Sequence, residues 1–153
     1  MESSEAIVLR KALSLLARRE HSTMELSRKL AAKRIREESI TAIVSRLHRE
    51  NLLSDARFTE SFARQRIASG YGPIRIRHEL HQRGIDKDTI GQNLTREEDE
   101  WIDSVSEVRR KRFGAGKPKD HRERARQIRF LMYRGFASEH ICKALDRINH
   151  DQQ

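Results

Sequence analysis

The sequence predicts an all-α fold, an elongated, curved array of tandem three-helix repeats. Three observations lead there. A pattern of leucine, cation and helix-ending turn recurs three times, about 50 residues apart. Between recurrences, apolar residues return every three or four positions, and no stretch alternates as a half-buried strand would. Apolar residues make up only 36% of the 153, the same share as charged ones. That is lean for one deep core and suits small units stacked on their neighbours.

The recurrence is seen by placing "ELSRKLAAKRIREESITAIVSRL" above "RIRHELHQRGIDKDTIGQNL" and "ARQIRFLMYRGFASEHICKAL". Leu30, Leu80 and Leu131 fall in register, 50 and 51 residues apart. So do Lys33, Arg83 and Arg134; Ile35, Ile85 and Phe136; and Ile40, Ile90 and Ile141. The position after the cation is Gly84 in the second copy and Gly135 in the third, each suited to the left-handed conformation that closes a helix. The first copy has Arg34 instead, which must find another cap or accept strain.

In the first repeat, residues 6–53, Leu9, Leu13 and Leu16 mark one helix. Ser22-x-x-Glu25 has the form of a capping box that starts the next, and "SITAIVSRLH" forms the third. In the second, residues 54–95, Ser54 and Asp55 supply a cap and an acidic first turn ahead of Phe58 and Phe62. Gly70, Gly72 and Pro73 then form a turn, with Pro73 at the first position of the following helix. Glycines that cradle a phosphate sit between a strand and a helix, and no strand precedes these. The short "KDTIGQNL" completes the repeat. In the third, residues 96–148, Thr95-x-x-Glu98 has capping-box form and Trp101, Val105 and Val108 share a helical face. The segment from Gly114 to Asp120 reads as a loop. The single cysteine, Cys142, lies on the apolar stripe of the last helix and reads as a small buried hydrophobe, with no intramolecular disulfide possible.

Charge points to the partner. The chain carries 32 Lys and Arg against 23 Asp and Glu, a net +9. From Ser104 to Phe130 there are ten cations and three carboxylates, whereas residues 96–103 hold one cation and five carboxylates. The acidic run suits a helix N-terminus. The basic run repels itself unless a polyanion or an acidic protein surface neutralises it. Candidate binding residues are Arg64, Arg66, Arg75, Arg77 and Arg83 around the middle joint. In the third repeat they are Arg109, Arg110, Lys111, Arg112, Arg122, Arg124, Arg126, Arg129 and Arg134, with Lys117 and Lys119 in its loop. Phe58, Phe62, Phe130 and Phe136 read as core positions. That leaves Phe113, Tyr71 and Tyr133 for stacking, so rings are not expected to interleave with the cations as a base platform requires.

Nothing in the sequence points to catalysis, a cofactor or a metal. His78 and His81 share a helical face but lack a third ligand at suitable spacing. The third helix of each unit is poor in the Arg, Asn and Gln that read base edges. An autonomous DNA-binding regulator with helix-turn-helix-like units therefore stands as the alternative. "MESSEAIVLRKALSLL" lacks the cationic region and cleavage site of a secretory signal. No run approaches about 18 apolar residues. The expectation is a soluble cytoplasmic protein.

The stretches "LLARREHSTMELSRKL", "LLSDARFTESFARQR", "GYGPIRIRHELHQRGI" and "RFLMYRGF" closely resemble the RecX regulatory family, bacterial modulators of the RecA recombinase. The likeness runs from about Ala6 to Ile148. It is most specific at Asp55, Arg57, Phe58, Arg66, Gly70, Gly72, Pro73, Arg75, Ile76, Glu79, Leu80 and Gly84. Arg34 departs from it, a glycine being common there. The resemblance implies tandem three-helix repeats and a chain, expected to be a monomer, that lodges in the groove of the RecA–DNA filament. There it would block extension or promote disassembly, and depress ATP hydrolysis, strand exchange and repressor co-cleavage. The implied partners are the RecA filament and single- and double-stranded DNA without sequence preference. The family carries no catalytic residue to transfer.

Overall fold

The computed structural model describes residues 3–151, and among them lie nine α-helices and no strand. The first repeat comprises α1 (Ser4–Arg18), α2 (Thr23–Ala32) and α3 (Glu37–Arg49). The second comprises α4 (Asp55–Ala68), α5 (Pro73–Gln82) and α6 (Lys87–Asn93), and the third α7 (Glu98–Phe113), α8 (His121–Tyr133) and α9 (Ser138–Asp151).

Helices α2, α5 and α8 end in the same way. Arg34, Gly84 and Gly135 have φ of +64°, +82° and +96°. The next residue in each copy donates its N–H back to the recurring leucine: Ile35 to Leu30 O at 3.4 Å, Ile85 to Leu80 O at 3.1 Å, Phe136 to Leu131 O at 3.2 Å. The left-handed residue itself donates to Ala31, His81 or Met132. This paired pattern is the Schellman closure, which brings the apolar residue just past the helix against the leucine three positions inside its end. The sequence register thus has a physical origin. All three leucines are 0% exposed. Arg34 takes the left-handed conformation without glycine's freedom, at a cost of roughly 1 kcal/mol.

The chain forms two compact units. One holds the residues up to Phe62 together with Leu80–Ile90; the other holds Ala63–Glu79 and the residues from Gly91 onward. The middle repeat is divided between them, since α4, α5 and α6 each begin in one unit and end in the other.

In the first unit, Val8, Ala12, Leu26, Leu30, Ile40, Ile43, Leu47 and Leu53 form a buried cluster. The expected α1 stripe is displaced: Val8 and Ala12 are buried, Leu9 and Leu16 lie at the edge, and Leu13 is 37% exposed. Apolar residues occupy so much of α1 that either stripe could face inward, and the one that meets the cluster wins. Ser22 caps α2 in a complete capping box with Glu25. Ser54 caps α4, accepting from Arg57 N at 3.1 Å. Asp55 accepts from Thr23 N at 2.7 Å and Thr23 Oγ1 at 3.0 Å, which fixes the start of α4 to the start of α2.

In the second unit, Trp101, Ile102 and Val105 of α7, Leu131 of α8, Phe136 just beyond it, and Ile141, Ala144 and Leu145 of α9 are buried. The capping box of α7 is shifted from the expected Thr95–Glu98 pair. Glu97 is the N-cap, and Glu100 Oε1 accepts from Glu97 N at 3.3 Å. Thr95 Oγ1 donates instead to Gly91 O at 2.7 Å, so its hydroxyl finishes α6. The acidic first turn of α7 pairs with α9, through Lys143 to Glu98 at 2.5 Å and Arg147 to Asp99 and Asp103 at 2.7 and 3.1 Å. Cys142 is half-buried rather than buried. Phe130 and, in the first unit, Phe62 are likewise half-buried rather than core.

A buried histidine gives the first unit a pH dependence. His21 Nδ1 lies 3.0 Å from Arg19 O, and Nε2 lies 2.8 Å from Lys29 Nζ. A neutral ring that donates from Nδ1 and accepts at Nε2 satisfies both. Burial pushes its pKa below the ordinary value, the Arg19 and Lys29 charges add to this, and the Arg19 carbonyl and Glu25 oppose it. The folded chain therefore binds that proton less readily than the unfolded chain. Stability holds above the ordinary imidazole value of about 6.5, declines as pH falls below it, and levels off beneath the folded value. Urea unfolding at pH 7.5 and 5.5 should show a decline that is smaller in His21→Asn. An equal decline in both proteins would contradict this assignment.

Candidate functional site

The second unit gathers most of the candidate cations, at the two ends of α8. At its C-terminal end, the turn before α5 meets the turn after α8. Gly72 N donates to Arg134 O at 2.9 Å and Ile74 N to Gly135 O at 3.0 Å. A Cβ on Gly72 would fall on the Gly135 carbonyl, and one on Gly135 would fall on Arg75, so both positions exclude side chains. This close approach stacks three arginines on one ring: Arg66, Arg75 and Arg134 lie 3.8, 4.5 and 4.9 Å from the Tyr71 centroid. Glu79 binds two of them, accepting from Arg66 at 2.7 Å and Arg75 at 3.2 Å. Arg134 also donates to Ser69 O at 3.2 Å. Arg66, Arg75 and Arg134 thus hold the joint together.

Next to this joint, Phe113 at the end of α7 and Phe130 in the last turn of α8 meet edge to face at 5.4 Å, and Arg134 lies 5.3 Å from the Phe130 centroid. Arg112 lies over both rings at 5.8 and 5.5 Å, and Arg126 lies 5.2 Å from Phe113. Rings and cations therefore interleave, contrary to the expectation that the core would claim the rings. Tyr71, Phe113 and Phe130 sit at the edges of the helices, where an arginine stem can lie on the ring while its head meets water.

Arg109 does not belong with the surface cations. It is 2% exposed, and its guanidinium donates to Gln127 Oε1 at 2.8 Å, to Gly114 O at 3.3 Å and to Gly116 O. Burial lowers its pKa from the ordinary value, yet arginine remains charged. Its role is to anchor the loop between α7 and α8 from beneath. Helical spacing alone could not separate it from its neighbours in "RRKR". Trp101 and Val105 lie two turns and one turn before Arg109, but Val108 carries the same stripe on to Arg112, so packing decides between them.

Around the anchored loop, Arg110, Lys111, Arg112, Lys117, Lys119 and Arg122 are exposed. Arg110 and Lys111 share Glu107, at 2.8 and 3.7 Å. The Arg110 guanidinium holds that carboxyl below the usual range. Arg126 pairs with Glu123 at 3.0 Å and Arg124 approaches Asp146 at 3.9 Å. Among the described residues, Arg77, Arg122, Arg129, Lys117 and Lys119 are exposed and make no ion pair. Arg64 is exposed as well. Arg83 is not part of this grouping: it belongs to the first unit, 3.8 Å from Glu25 and 4.8 Å from the Phe62 centroid. Among the described residues, no group of three His, Cys, Asp or Glu could hold a metal, and no helix is long and apolar enough to cross a membrane.

The fold and these surfaces define a class: a basic, all-helical protein of tandem three-helix repeats. The comparisons narrow it. Three family models described as RecX first, second and third three-helix domains match residues 9–47, 54–94 and 98–145. The chain is 49% identical over 138 residues to the regulatory protein RecX of Pseudomonas entomophila (strain L48), covering 90% of this chain and 89% of that one. It is 46% identical over the same length to the RecX of Pseudomonas putida (strain GB-1), covering 90% and 88%. The crystal structure of RecX from Lactobacillus salivarius superposes with a TM-score of 0.80 at 20% identity, covering 95% and 96% of the two chains. A second crystal structure of a regulatory protein RecX also gives 0.80, at 22% identity, covering 93% of this chain and 71% of the other. This chain belongs to the RecX family of regulatory proteins.

The anchoring role of Arg109 can be checked. Arg109→Met keeps the packed stem but leaves the buried Gln127 Oε1 and two loop carbonyls without their donor, so it should cost about 1–3 kcal/mol and speed proteolysis between Gly114 and Asp120. Arg110→Met, which removes only an exposed ion pair, should leave the unfolding midpoint in place. Equal effects from the two substitutions would show that Arg109 anchors nothing.

Proposed function

We propose that this chain is a non-catalytic regulator that binds the RecA–DNA filament as a monomer. There it inhibits filament extension, ATP hydrolysis, strand exchange and repressor co-cleavage, and so modulates DNA repair and recombination. Its membership of the RecX family supports the regulatory role. The observation that carries the DNA contact is the basic end of α7 and α8. Six exposed cations surround one loop, and Lys117, Lys119 and Arg122 make no ion pair among the described residues. Such a cluster answers phosphate and carries no sequence information, so binding to single- and double-stranded DNA is independent of base identity. The third helices supply no comparable set of base readers, and α6 has only 7 residues.

The test is a RecA ATPase time course on single-stranded DNA with substoichiometric additions of this protein. Activity should fall progressively, and persistence at molar excess with the matching recombinase would refute the proposal. Lys119→Glu/Arg122→Glu should weaken binding to naked single strands. It should also reduce the log–log salt slope by roughly 0.7 for each phosphate that is no longer neutralised, with helicity and melting unchanged. Tight binding to one defined duplex, without effect on the filament, would instead establish an autonomous DNA-binding regulator.

A further inference from the structure

The three most exposed large apolar residues described in the chain are Ile74, Met132 and Tyr133, at 52%, 53% and 75%. All three lie where α5 begins and α8 ends, within the second unit. Ile74 N bonds the Gly135 carbonyl, and Arg75 lies over the Tyr133 ring at 5.4 Å while reaching Tyr133 O at 3.4 Å. Single exposed hydrophobes are ordinary, but three at one rigid joint are not.

Their charged surroundings are one-sided. Arg77 lies one turn beyond Ile74 on α5, and Arg129 lies one turn before Met132 and Tyr133 on α8. Both arginines are exposed and make no ion pair among the described residues. Helix α5 contains one carboxylate, Glu79, which already binds Arg66 and Arg75. Helix α8 also contains one, Glu123, held by Arg126. The joint therefore presents an apolar centre flanked by uncompensated cations.

We infer that this joint is a protein-docking surface for an acidic protein segment bearing an apolar side chain. The apolar side chain would sit on Met132, Tyr133 and Ile74, and flanking carboxylates would meet Arg77 and Arg129. Phosphate could satisfy the arginines, but it offers nothing to an exposed isoleucine and methionine. A protein surface supplies both parts, and tyrosine, methionine and arginine are the residues enriched at such interfaces. The inference rests on the filament reading and deepens it. It divides the second unit's labour: Lys117, Lys119 and Arg122, at the N-terminal end of α8, take phosphate, and the joint at its C-terminal end, about 20 Å along the helix at 1.5 Å per residue, takes protein.

The experiment compares the unchanged chain, Ile74→Ser/Met132→Ser/Tyr133→Ser and Arg77→Glu/Arg129→Glu, each shown to melt as the unchanged chain does. The probes are the RecA filament on single-stranded DNA and the same DNA naked, with sedimentation of the chain alone. Both variants should lose filament affinity by about tenfold or more, and the serine variant should bind naked DNA as the unchanged chain does. Unaltered filament affinity in both variants would overturn the docking surface alone. A parallel loss on naked DNA in the serine variant would overturn it by showing that nucleic acid stacks there. A dimer of the unchanged chain that the serine variant dissolves would overturn it by making a second copy the occupant. Failure of the unchanged chain to bind the filament would overturn the functional proposal first and this inference with it.

Discussion

Helix α8 closes with Gly135 in the left-handed conformation, and that turn directs the Arg134 and Gly135 carbonyls at the start of α5. The Gly72 and Ile74 amides that donate to them are two of the N–H groups any helix start leaves without a partner; Pro73, between them, has none to satisfy. Two helix ends with opposite partial charges are thereby joined backbone to backbone. The join requires glycine on both sides, because a Cβ on Gly72 would fall on the Gly135 carbonyl and one on Gly135 would fall on the Arg75 backbone. The Tyr71 stack, the Glu79 bridge and the exposure of Met132 and Tyr133 all depend on this join.

The left-handed closure is a repeated device put to different uses. At Gly84 it ends α5 beside Met24 in the first unit. At Gly135 it creates the second unit's joint. At Arg34 the same hydrogen bonds form without glycine, because Leu30 and Ile35 still require the chain to fold back. Closure geometry, more than residue identity, is what the three copies share.

Much of this was legible in the sequence because the closure has a fixed pattern. Leu30, Leu80 and Leu131, each followed by a left-handed residue and an apolar one, gave the repeat and the positions of the second helices. The resemblance to RecX rested on the same turns. Where local pattern left two options, tertiary contact decided. Helix α1 could bury Leu13 or Val8. Thr95 could cap α7 or bond back to Gly91. The site was less legible for the same reason: a run such as "RRKR" carries charge along the whole helix, and only packing shows that Arg109 points inward while its neighbours do not. Arg66, Arg75 and Arg134 are separated by up to 68 residues in sequence, so nothing local revealed that they share one ring.

The most direct test of this account is amide hydrogen exchange at Gly72 and Ile74 in the free protein. Both amides lie in a turn or the first turn of a helix, where exchange is ordinarily fast. If the join to Arg134 and Gly135 holds the second unit as described, both should exchange as slowly as the core amides of Ala144 and Leu145 in α9, opening only when the unit unfolds. Exchange as fast as that of Glu98 and Asp99, in the first turn of α7, would contradict it.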